Sequence, residues 1–386
     1  MKSLQWLGLP SLSLSAAVFY GCLLPSAEAK SSVISPKFVI LSMFSDEGGS
    51  WYGIPEFNVL EKNYTLPGLS PVYPDLHCTA DGEICQLTTG EGESNAAVSV
   101  ATLAFSPLFN FTQTYFMIAG IAGINPKVAS VGSVTFARYA VHVGLQYEID
   151  AREIPKNWTT GYFAQDSEQP GQFPGALYGT EVYEVNEALR QKAFAVAKTA
   201  KLSDSPDSTP LRANYSKNPE YKAGSEAANV YLCDTATSDT YWDGDLLGVA
   251  FEGTVSVFTG GKGVYCSTQQ EDNATLQALL RAAIANRVDF SRIIIMRTAS
   301  DFDREFPGQS VVASLLGPEP GYDDSIANIH IAGVKIVEMV LDGWESEFKK
   351  GIQATNYVGD VFGSLGGKPD FIPKATSKRR GYSRRR

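Results

Sequence analysis

Apolar runs long enough for one buried strand each recur along this 386-residue chain, and segments with helical periodicity separate them. The strand-like runs are KFVILSMF, TYFMIAGIAGI, SVGSVTFARYAV, DLLGVAFEG and SRIIIMRTAS. The segments with apolar residues three and four apart are 94–105, 183–200, 273–286 and 326–341. Continuous apolar strands are typical of parallel sheets covered on both faces. We therefore predict a three-layer α/β/α sandwich around a mixed, mostly parallel central sheet.

The two ends of the chain differ from its middle. Residues 1–29 are predicted to be a secretory signal peptide, because Lys2 precedes an apolar stretch that ends in the cleavage pattern Ala27-Glu28-Ala29. A membrane anchor is the alternative, which the glycines and prolines within the stretch disfavour. Residues 30–376 are predicted to form a single α/β domain with a polar surface insertion at 201–226. Residues 377–386 are predicted to be a basic, disordered tail.

Charge and hydropathy limit the partners of the mature chain. The formal net charge of −10 argues against a nucleic acid partner, whose phosphates would be repelled. After the signal, no segment reaches the roughly 18 to 20 uninterrupted apolar residues that a membrane-spanning helix needs. We expect a secreted, extracellular protein, either free or associated with the cell wall.

Cysteine usage fits an oxidising compartment. Cys22 leaves with the predicted signal, so four cysteines remain. Cys78 and Cys85 flank the turn-rich spacer TADGEI and are expected to pair, which leaves Cys233 to pair with Cys266. Four free buried thiols are the alternative. Zinc is less favoured, because the chain has only three histidines and no metal-binding spacing beyond His77 beside Cys78.

Five N-x-S/T sequons also fit a secreted glycoprotein. They begin at Asn63, Asn110, Asn157, Asn214 and Asn273.

Carboxylates follow three of the predicted elements. Ligands of open α/β sheets bind beyond the carboxyl ends of the strands. Glu47 follows the first strand, Glu271 lies at a helix start, and Asp301 follows the last apolar run. A carboxyl shielded from water there has a raised pKa and can donate a proton near neutrality. The alternative is helix capping, by Glu271 at its helix start and by Ser300 or Asp301 after the last strand.

Two glycine-rich segments accompany these carboxylates. GEGESNAA, with Gly90 and Gly92, opens a helix but lacks the third glycine of a dinucleotide-binding fingerprint. AGIAGINP, with Gly120 and Ala122, is interpreted as a turn that allows close approach to a ligand or tight packing. The missing G-x-S-x-G motif and the few histidines argue against a serine hydrolase, a P-loop is also missing, and we predict no cofactor. Carboxylates with glycine turns suit glycosidic bond cleavage, in which the leaving group is protonated.

Six motifs in order, spanning 38–373, resemble the purine nucleoside permease family, and more distantly the nucleoside phosphorylase and nucleosidase superfamily. They are FVILSMFSDE, TTGEGESNAAVSVATL, FMIAGIAGINPKVASVGSVTFARYAV, YEIDAREIP, CSTQQEDNATLQAL and MRTASDFDR. The resemblance implies a nucleoside phosphorylase-like fold. The family name implies transport, which conflicts with the missing spanning segment.

The superfamily resemblance assigns roles on the base and ribose side. TQQEDNA is similar to an element whose glutamate holds the ribose hydroxyls, which implies Glu271 with Gln270 beside it. RTASD is similar to an element whose aspartate protonates the purine at N7. This implies Asp301 as the acid, with Arg297 and Ser300 in support.

The same resemblance implies that Glu47 activates water. Asp46 and Glu47 stand where phosphorylases place an arginine for phosphate, so water is favoured over phosphate as the nucleophile. Phosphate stays open as a co-substrate. The residues expected near the nucleophile or phosphate are Gly90, Gly120, Ala122 and Arg138.

Together these expectations describe an extracellular purine nucleosidase, or phosphorylase, that serves purine salvage. Its expected substrates are adenosine, inosine and guanosine. The alternative is a non-catalytic protein that binds purine nucleosides for uptake. A homo-oligomer is a further expectation, since relatives of this fold commonly build pockets across subunit contacts. A glycan on Asn273 would crowd the ribose site, so that sequon is expected to be unoccupied.

Several neighbouring residues keep two interpretations each. Four aromatic residues either stack on base or sugar or simply pack in the core. They are Trp51, Tyr139, Trp158 and Phe163. Asp303 and Arg304 are interpreted as solvated or structural.

Overall fold

A 13-stranded mixed sheet runs through the protein, and a separate two-stranded sheet accompanies it. The computed structural model describes residues 33–372, so the predicted signal peptide and basic tail lie outside the described residues. The strands are β1 (Phe38–Ser42), β2 (Lys62–Thr65), β3 (Asp75–Cys78), β4 (Ile84–Thr88), β5 (Tyr115–Ile124), β6 (Val134–Ala137), β7 (Tyr139–His142), β8 (Tyr147–Glu148), β9 (Tyr162–Phe163), β10 (Val182–Glu184), β11 (Val230–Leu232), β12 (Asp234–Thr237), β13 (Tyr265–Gln269), β14 (Ile293–Phe302) and β15 (Gly359–Asp360). The helices are α1 (Ser45–Gly49), α2 (Glu93–Phe105), α3 (Glu187–Ala197), α4 (Thr209–Tyr215), α5 (Asp245–Phe258), α6 (Asp272–Ile284), α7 (Val311–Leu315) and α8 (Tyr322–Asp342).

The middle of the large sheet is parallel and buried on both faces. β1 pairs in parallel with β4 and β5, and β5 pairs in parallel with β14. Successive residues of a strand point to opposite faces. Val39 and Leu41 accordingly pack in the hydrophobic cluster that includes α2 and α6, whereas Phe38 and Ile40 pack in the cluster that includes α3 and α8. Helices therefore cover both faces, and the predicted three-layer α/β/α sandwich with a mixed sheet is confirmed.

Most of the predicted elements are present. Four of the five strand-like runs contain strands, and three of the helical segments match α2, α6 and α8. The segment 183–200 begins instead as the end of β10, and α3 starts only after Asn186, whose side chain accepts hydrogen bonds from Ala188 and Leu189 N–H. An Asn at this position is a favourable helix N-cap.

Two local predictions are wrong. DLLGVAFEG, predicted as a strand, is the first part of α5. Phe251, Val255 and Phe258 recur at helical spacing and share a hydrophobic cluster with Tyr265, and a short apolar run alone does not distinguish strand from helix. AGIAGI, predicted as a turn, is the second half of β5.

The segment 201–226, predicted as a surface insertion, folds into α4 and three short 3-10 helices. It buries Arg212, Tyr215 and Tyr221. The Tyr215 hydroxyl donates a hydrogen bond to Arg304 O, at 2.6 Å. The segment is thereby attached to the residues that follow β14.

Two disulfides staple the sheet, and both match the predicted pairs. Cys78 of β3 bonds Cys85 of β4, and Cys233 bonds Cys266 of β13. Among residues 33–372, no helix has the length and apolar character needed to cross a membrane.

Candidate active site

A cavity of about 460 Å³ opens near the carboxyl ends of five strands, β1, β5, β12, β13 and β14. The three carboxylates predicted from the sequence, Glu47, Glu271 and Asp301, all lie in its wall. Because those strands end at one edge, loops far apart in the chain meet there. The structure thus brings the predicted carboxylates into one site.

Asp301 lies one residue before the end of β14, where the pairing of β14 with β5 shifts register after Ala299. Such a shift re-aims side chains locally. Asp301 Oδ1 accepts a hydrogen bond from Ser300 Oγ at 2.6 Å, and Oδ2 accepts one from the Tyr241 hydroxyl at 2.9 Å. Burial raises the pKa of Asp301 to about 6, against the two hydroxyl donors. The capping alternative is excluded, because Asp301 lies within a strand.

Glu47 lies in α1, the short helix after β1, and only 1% of it is exposed. Its Oε2 accepts a hydrogen bond from Met43 N–H at 2.6 Å, and its Oε1 accepts one from Ile121 N–H at 2.8 Å. Burial raises the pKa of Glu47 to about 8, while the nearby Arg297 charge opposes that rise. The carboxyl is therefore fixed in orientation by backbone groups of two elements, and it titrates close to neutrality.

Glu271 joins β13 to α6 and lines the cavity. Its Oε1 accepts a hydrogen bond from Gly92 N–H at 3.0 Å. Its Oε2 lies 3.2 Å from an Arg297 guanidinium nitrogen, which is also 2.6 Å from Asp272. Burial raises the pKa of Glu271, and Arg297 opposes the rise. Glu271 occupies the N-cap position of α6, but its side chain makes no capping hydrogen bond and pairs with Arg297 instead.

Arg297 is almost fully buried and connects the site to the sheet. Besides its two carboxylate partners, it donates a hydrogen bond to Ile121 O at 3.0 Å. Burial alone would lower the pKa of Arg297, but the charges of Asp272 and Glu271 raise it above its usual value. The guanidinium is a permanent cation whose position is set by its ion pairs.

The remaining predicted site residues divide into two groups. Gln270, Ser300 and Ala122 line the cavity. Gly90 and Arg138 do not. Gly90 has a φ of 86° in the loop before α2, a left-handed conformation that favours glycine.

Arg138 does not lie where the predicted phosphate contact requires it, because it is outside the cavity lining. Its Nε donates to Glu184 at 2.8 Å, and its guanidinium stacks 5.0 Å from the centre of the Tyr139 ring. Glu184 is fully buried and takes this cation as its partner. Arg138 is therefore engaged away from the cavity.

Gly120 lies in β5 beside the Glu47 carboxylate, where an added Cβ would overlap it. A Cβ on Gly123 would come within 2.6 Å of Thr268 Oγ1 and 3.4 Å of Asp301 Oδ2. Because Gly120 and Gly123 have no side chains, they leave space for the carboxyl groups of Glu47 and Asp301. The AGIAGI segment nevertheless is a strand and not the predicted turn.

The aromatic residues that line the cavity are not those predicted from the sequence. Trp51, Tyr139, Trp158 and Phe163 pack against other aromatic rings outside the cavity lining. The aromatic residues that line it are Phe44, Tyr241, Trp242 and Tyr322. Phe44 directly precedes the SDE motif, which is a signal that the sequence carried. Tyr241 and Trp242 follow β12, whose short sequence DTAT is too polar to be recognised as a buried strand.

Asp303 and Arg304 are structural. Both side chains are buried, Arg304 Nε donates to Asp303 Oδ1 at 2.8 Å, and the Tyr265 hydroxyl donates to Asp303 Oδ2 at 2.5 Å. Glu252 lies 2.9 Å from Arg304. The solvated alternative is thus excluded, and this ion pair anchors the chain directly after Asp301.

The fold and this cavity define an α/β protein with a carboxylate-lined cavity at the ends of its strands. Comparison with known proteins agrees with the sequence motifs: residues 35–353 match the model of the purine nucleoside permease (NUP) family. A purine nucleoside permease of Candida albicans is 43% identical over 346 residues, covering 88% of this chain and 84% of the relative. A Schizosaccharomyces pombe protein described as a probable purine nucleoside permease is 38% identical, covering 82% of this chain and 92% of the relative. The chain belongs to the purine nucleoside permease family.

Solved structures with a related arrangement include two bacterial enzymes. The 5'-methylthioadenosine/S-adenosylhomocysteine nucleosidase of Neisseria meningitidis has a TM-score of 0.47 and 14% identity, covering 79% of this chain and 99% of that one. The futalosine hydrolase of Helicobacter pylori has a TM-score of 0.45 and 13% identity, covering 80% of this chain and 98% of that one.

Proposed function

We propose that this protein is an extracellular enzyme that binds purine nucleosides and hydrolyses their N-glycosidic bond, releasing purine base and ribose for purine salvage. The family and the names of its relatives support purine nucleosides as the ligand class. The observation that carries the proposed chemistry is the convergence of Glu47, Glu271 and Asp301 on one cavity. Each carboxyl is held by hydrogen bonds, which is what positioned acid and base groups require.

Asp301 serves as the general acid in this mechanism. A purine leaves as a neutral base only if its ring is protonated as the bond to C1' breaks. With a pKa of about 6, Asp301 keeps a fraction of its proton near neutrality and gives it up easily, which is the compromise that a general acid needs. Its proton passes to purine N7, and the electron pair of the broken bond stays on the base.

Glu271 holds the ribose. Its carboxylate accepts hydrogen bonds from the ribose hydroxyls, while Arg297 and the Gly92 N–H fix its orientation. The sugar becomes cationic in the transition state of glycosidic cleavage. A negative carboxylate beside it stabilises that charge by Coulomb attraction, which is strong in a site shielded from water.

Glu47 activates the nucleophile. It accepts a proton from water as the water oxygen bonds to C1'. Gly120 of β5 lies beside Glu47, Gly123 of the same strand lies near Asp301, and both carboxyls line the one cavity.

Water is favoured over phosphate because the cavity is acidic. Its lining carboxylates are Glu47, Glu91, Glu271, Asp301 and Glu319, and in the described part of the chain the only basic lining residue is Arg297, already paired with carboxylates. A phosphate dianion would be repelled there. Arg138, the cation that the sequence offered for phosphate, contacts Glu184 instead.

A second candidate is a non-catalytic protein that binds purine nucleosides for uptake. The observation that favours it is the word permease in the family description and in the names of both relatives. The same cavity would hold the nucleoside, with Asp301 and Glu47 serving as hydrogen-bonding groups only.

The two candidates separate in one assay. Purified protein is incubated with inosine, adenosine or guanosine, with and without phosphate, and free base is measured by chromatography. We expect base release without phosphate, and a loss of about 100-fold or more in Asp301→Asn with the fold retained. Binding without base release in either buffer favours the uptake protein. Release that depends on phosphate would overturn the choice of water.

A further inference from the structure

We propose that Tyr241 is a gate on Asp301. The Tyr241 hydroxyl donates a hydrogen bond to Oδ2, the carboxyl oxygen through which the acid would engage its substrate, and an incoming purine displaces this hydroxyl. This inference rests on the proposed purine site and adds a device that couples ligand binding to protonation of Asp301.

The two oxygens of Asp301 have different neighbours. Oδ1 accepts from Ser300 Oγ, its neighbour in β14, whereas Oδ2 accepts from Tyr241, which lies sixty residues earlier in the chain. Tyr241 lines the cavity, so Oδ2 faces the ligand space. The atom that a ligand must reach is thus already hydrogen-bonded to a protein hydroxyl.

Tyr241 and a purine nitrogen have opposite effects on that oxygen. A donor such as the tyrosine hydroxyl favours the ionised carboxylate, whereas an acceptor such as a ring nitrogen favours the protonated form. Exchanging one for the other therefore raises the proton affinity of Asp301 at the moment of binding. Asp301 is therefore protonated when a purine is bound and mostly ionised while Tyr241 donates to it.

Ser300 is suited to both states. A hydroxyl carries one proton, and Ser300 Oγ has two acceptors within reach, Asp301 Oδ1 at 2.6 Å and Ala122 O at 3.2 Å. It can donate to the ionised carboxylate. It can keep that bond when Asp301 is protonated on Oδ2, toward the ligand, because Oδ1 then remains an acceptor. Ser300 thus stays in place while the ligand replaces Tyr241.

Tyr241 is free to rotate without movement of its loop. Its side chain is 56% exposed. The loop, residues 238–244, is fixed at both ends, since Ser238 N–H donates to Gln269 O at 3.0 Å and Gly244 N–H donates to Asp303 O at 3.0 Å. A rotamer change of an exposed side chain takes picoseconds to nanoseconds. Opening of the gate is therefore a rotamer change of Tyr241, while the loop that carries it keeps its position.

The gate predicts which ligands take up a proton. Adenine offers an acceptor at N7, whereas 7-deazaadenine has a carbon at that position. Adenine should bind with net uptake of most of one proton at neutral pH, and 7-deazaadenine with little uptake. Neither probe has a glycosidic bond, so turnover does not interfere.

The experiment is isothermal titration calorimetry with both probes, in buffers of different ionisation enthalpy, on the full-length protein and its Tyr241→Phe variant. The variant lacks the competing donor, so its empty site already holds Asp301 more protonated. We expect adenine to bind the variant several-fold more tightly, with less proton uptake. Tyr178→Phe, at a residue that is 61% exposed and outside the cavity lining, is the matched control and should behave as the unsubstituted protein.

The outcomes are distinct. If neither probe binds, the purine site itself is wrong and the proposed function falls with the gate. If adenine binds but Tyr241→Phe changes neither affinity nor proton uptake, the purine site stands and the gate is wrong. Weaker binding by the variant with unchanged proton uptake also overturns the gate, since it makes Tyr241 an ordinary ligand contact. Thermal unfolding of both variants checks that each is folded.

Discussion

Glu47 lies against Gly120 of β5, and a methyl group on residue 120 would overlap both the Glu47 carboxylate and the end of the Met43 side chain. The next residue, Ile121, donates its backbone N–H to the same carboxylate at 2.8 Å. Gly120 therefore leaves room for the buried Glu47 carboxylate, and the N–H of Ile121 in the same strand fixes the orientation of that carboxylate. The orientation of Glu47 depends on a residue with no functional group.

Gly120→Ala should for this reason disable the site through Glu47. The added methyl forces Glu47 and Met43 to move, and a misplacement of about 1 Å can reduce activity about 100-fold. Overpacking should also lower the free energy of unfolding by about 1 to 3 kcal/mol. Nucleoside hydrolysis and urea unfolding measure the two effects.

Gly253→Ala is the matched control, because Gly253 lies in α5 with no atom within 4 Å of an added Cβ. It should leave activity unchanged and stabilise slightly, since alanine favours helix. Full activity in Gly120→Ala would show that the position of Glu47 does not matter.

Asp303→Ala should reduce stability, whereas Asp301→Asn should reduce activity. Asp303 and Arg304 are 1% and 0% exposed and form an ion pair with each other. Removing Asp303 leaves buried Arg304 with only the half-exposed carboxylates Glu252 and Asp245 as partners, and losing one side of a buried ion pair costs about 3 to 5 kcal/mol. Chemical unfolding curves of both variants are the measurement. Equal stability of the two would mean that Glu252 and Asp245 suffice to compensate Arg304.

The sequence alone could predict the carboxylates but not their surroundings. Asp301 and Glu47 were identifiable because each stands at the end of an apolar run with strand character, and the strands of an open α/β sheet end at a shared edge. Arg138 follows an apolar run as well, yet it points away from the cavity. The sequence does not reveal that Glu184, forty-six residues later, is buried beside it and needs a cation.

Other features required the three-dimensional structure. The run that became α5 is apolar over a length that fits either a strand or a helix, and its packing against Trp242 and Tyr265 decides the outcome. Nothing in the sequence marked Tyr241 as a site residue, because exposed tyrosines after short polar strands are common. Its importance appears only through its contact with Asp301, sixty residues away.

The pH dependence of hydrolysis should be bell-shaped, with limbs near pH 6 and pH 8. The pKa of Asp301 is about 6 and that of Glu47 about 8. The proposed mechanism needs Asp301 protonated, so activity should fall as pH rises. It also needs Glu47 ionised, so activity falls as pH drops. The product of the two fractions is greatest midway, near pH 7, and only a small part of the protein is in the active form.

Profiles of kcat/KM test this assignment, since they report the free enzyme. In Asp301→Asn the requirement for a protonated acid is removed, so residual activity should keep rising up to about pH 8. Glu47→Gln should instead retain only the decline above about pH 6. Identical profiles in both variants would exclude these two carboxyls as the acid and the base.

Glycosylation should distinguish Asn273 from the other sequons. The Asn273 side chain is buried at the start of α6, where its Nδ2 donates to Thr180 O at 2.7 Å and its Oδ1 accepts from Thr237 at 2.7 Å. A glycan is attached through that same nitrogen, so a modified Asn273 does not fit the fold. Three other sequons, at Asn63, Asn110 and Asn157, are exposed, and the fourth, at Asn214, is half-buried. Mass mapping of glycopeptides from protein produced through a secretory pathway should find Asn273 unmodified, and a glycan there would contradict both its burial and the position of the adjoining Glu271.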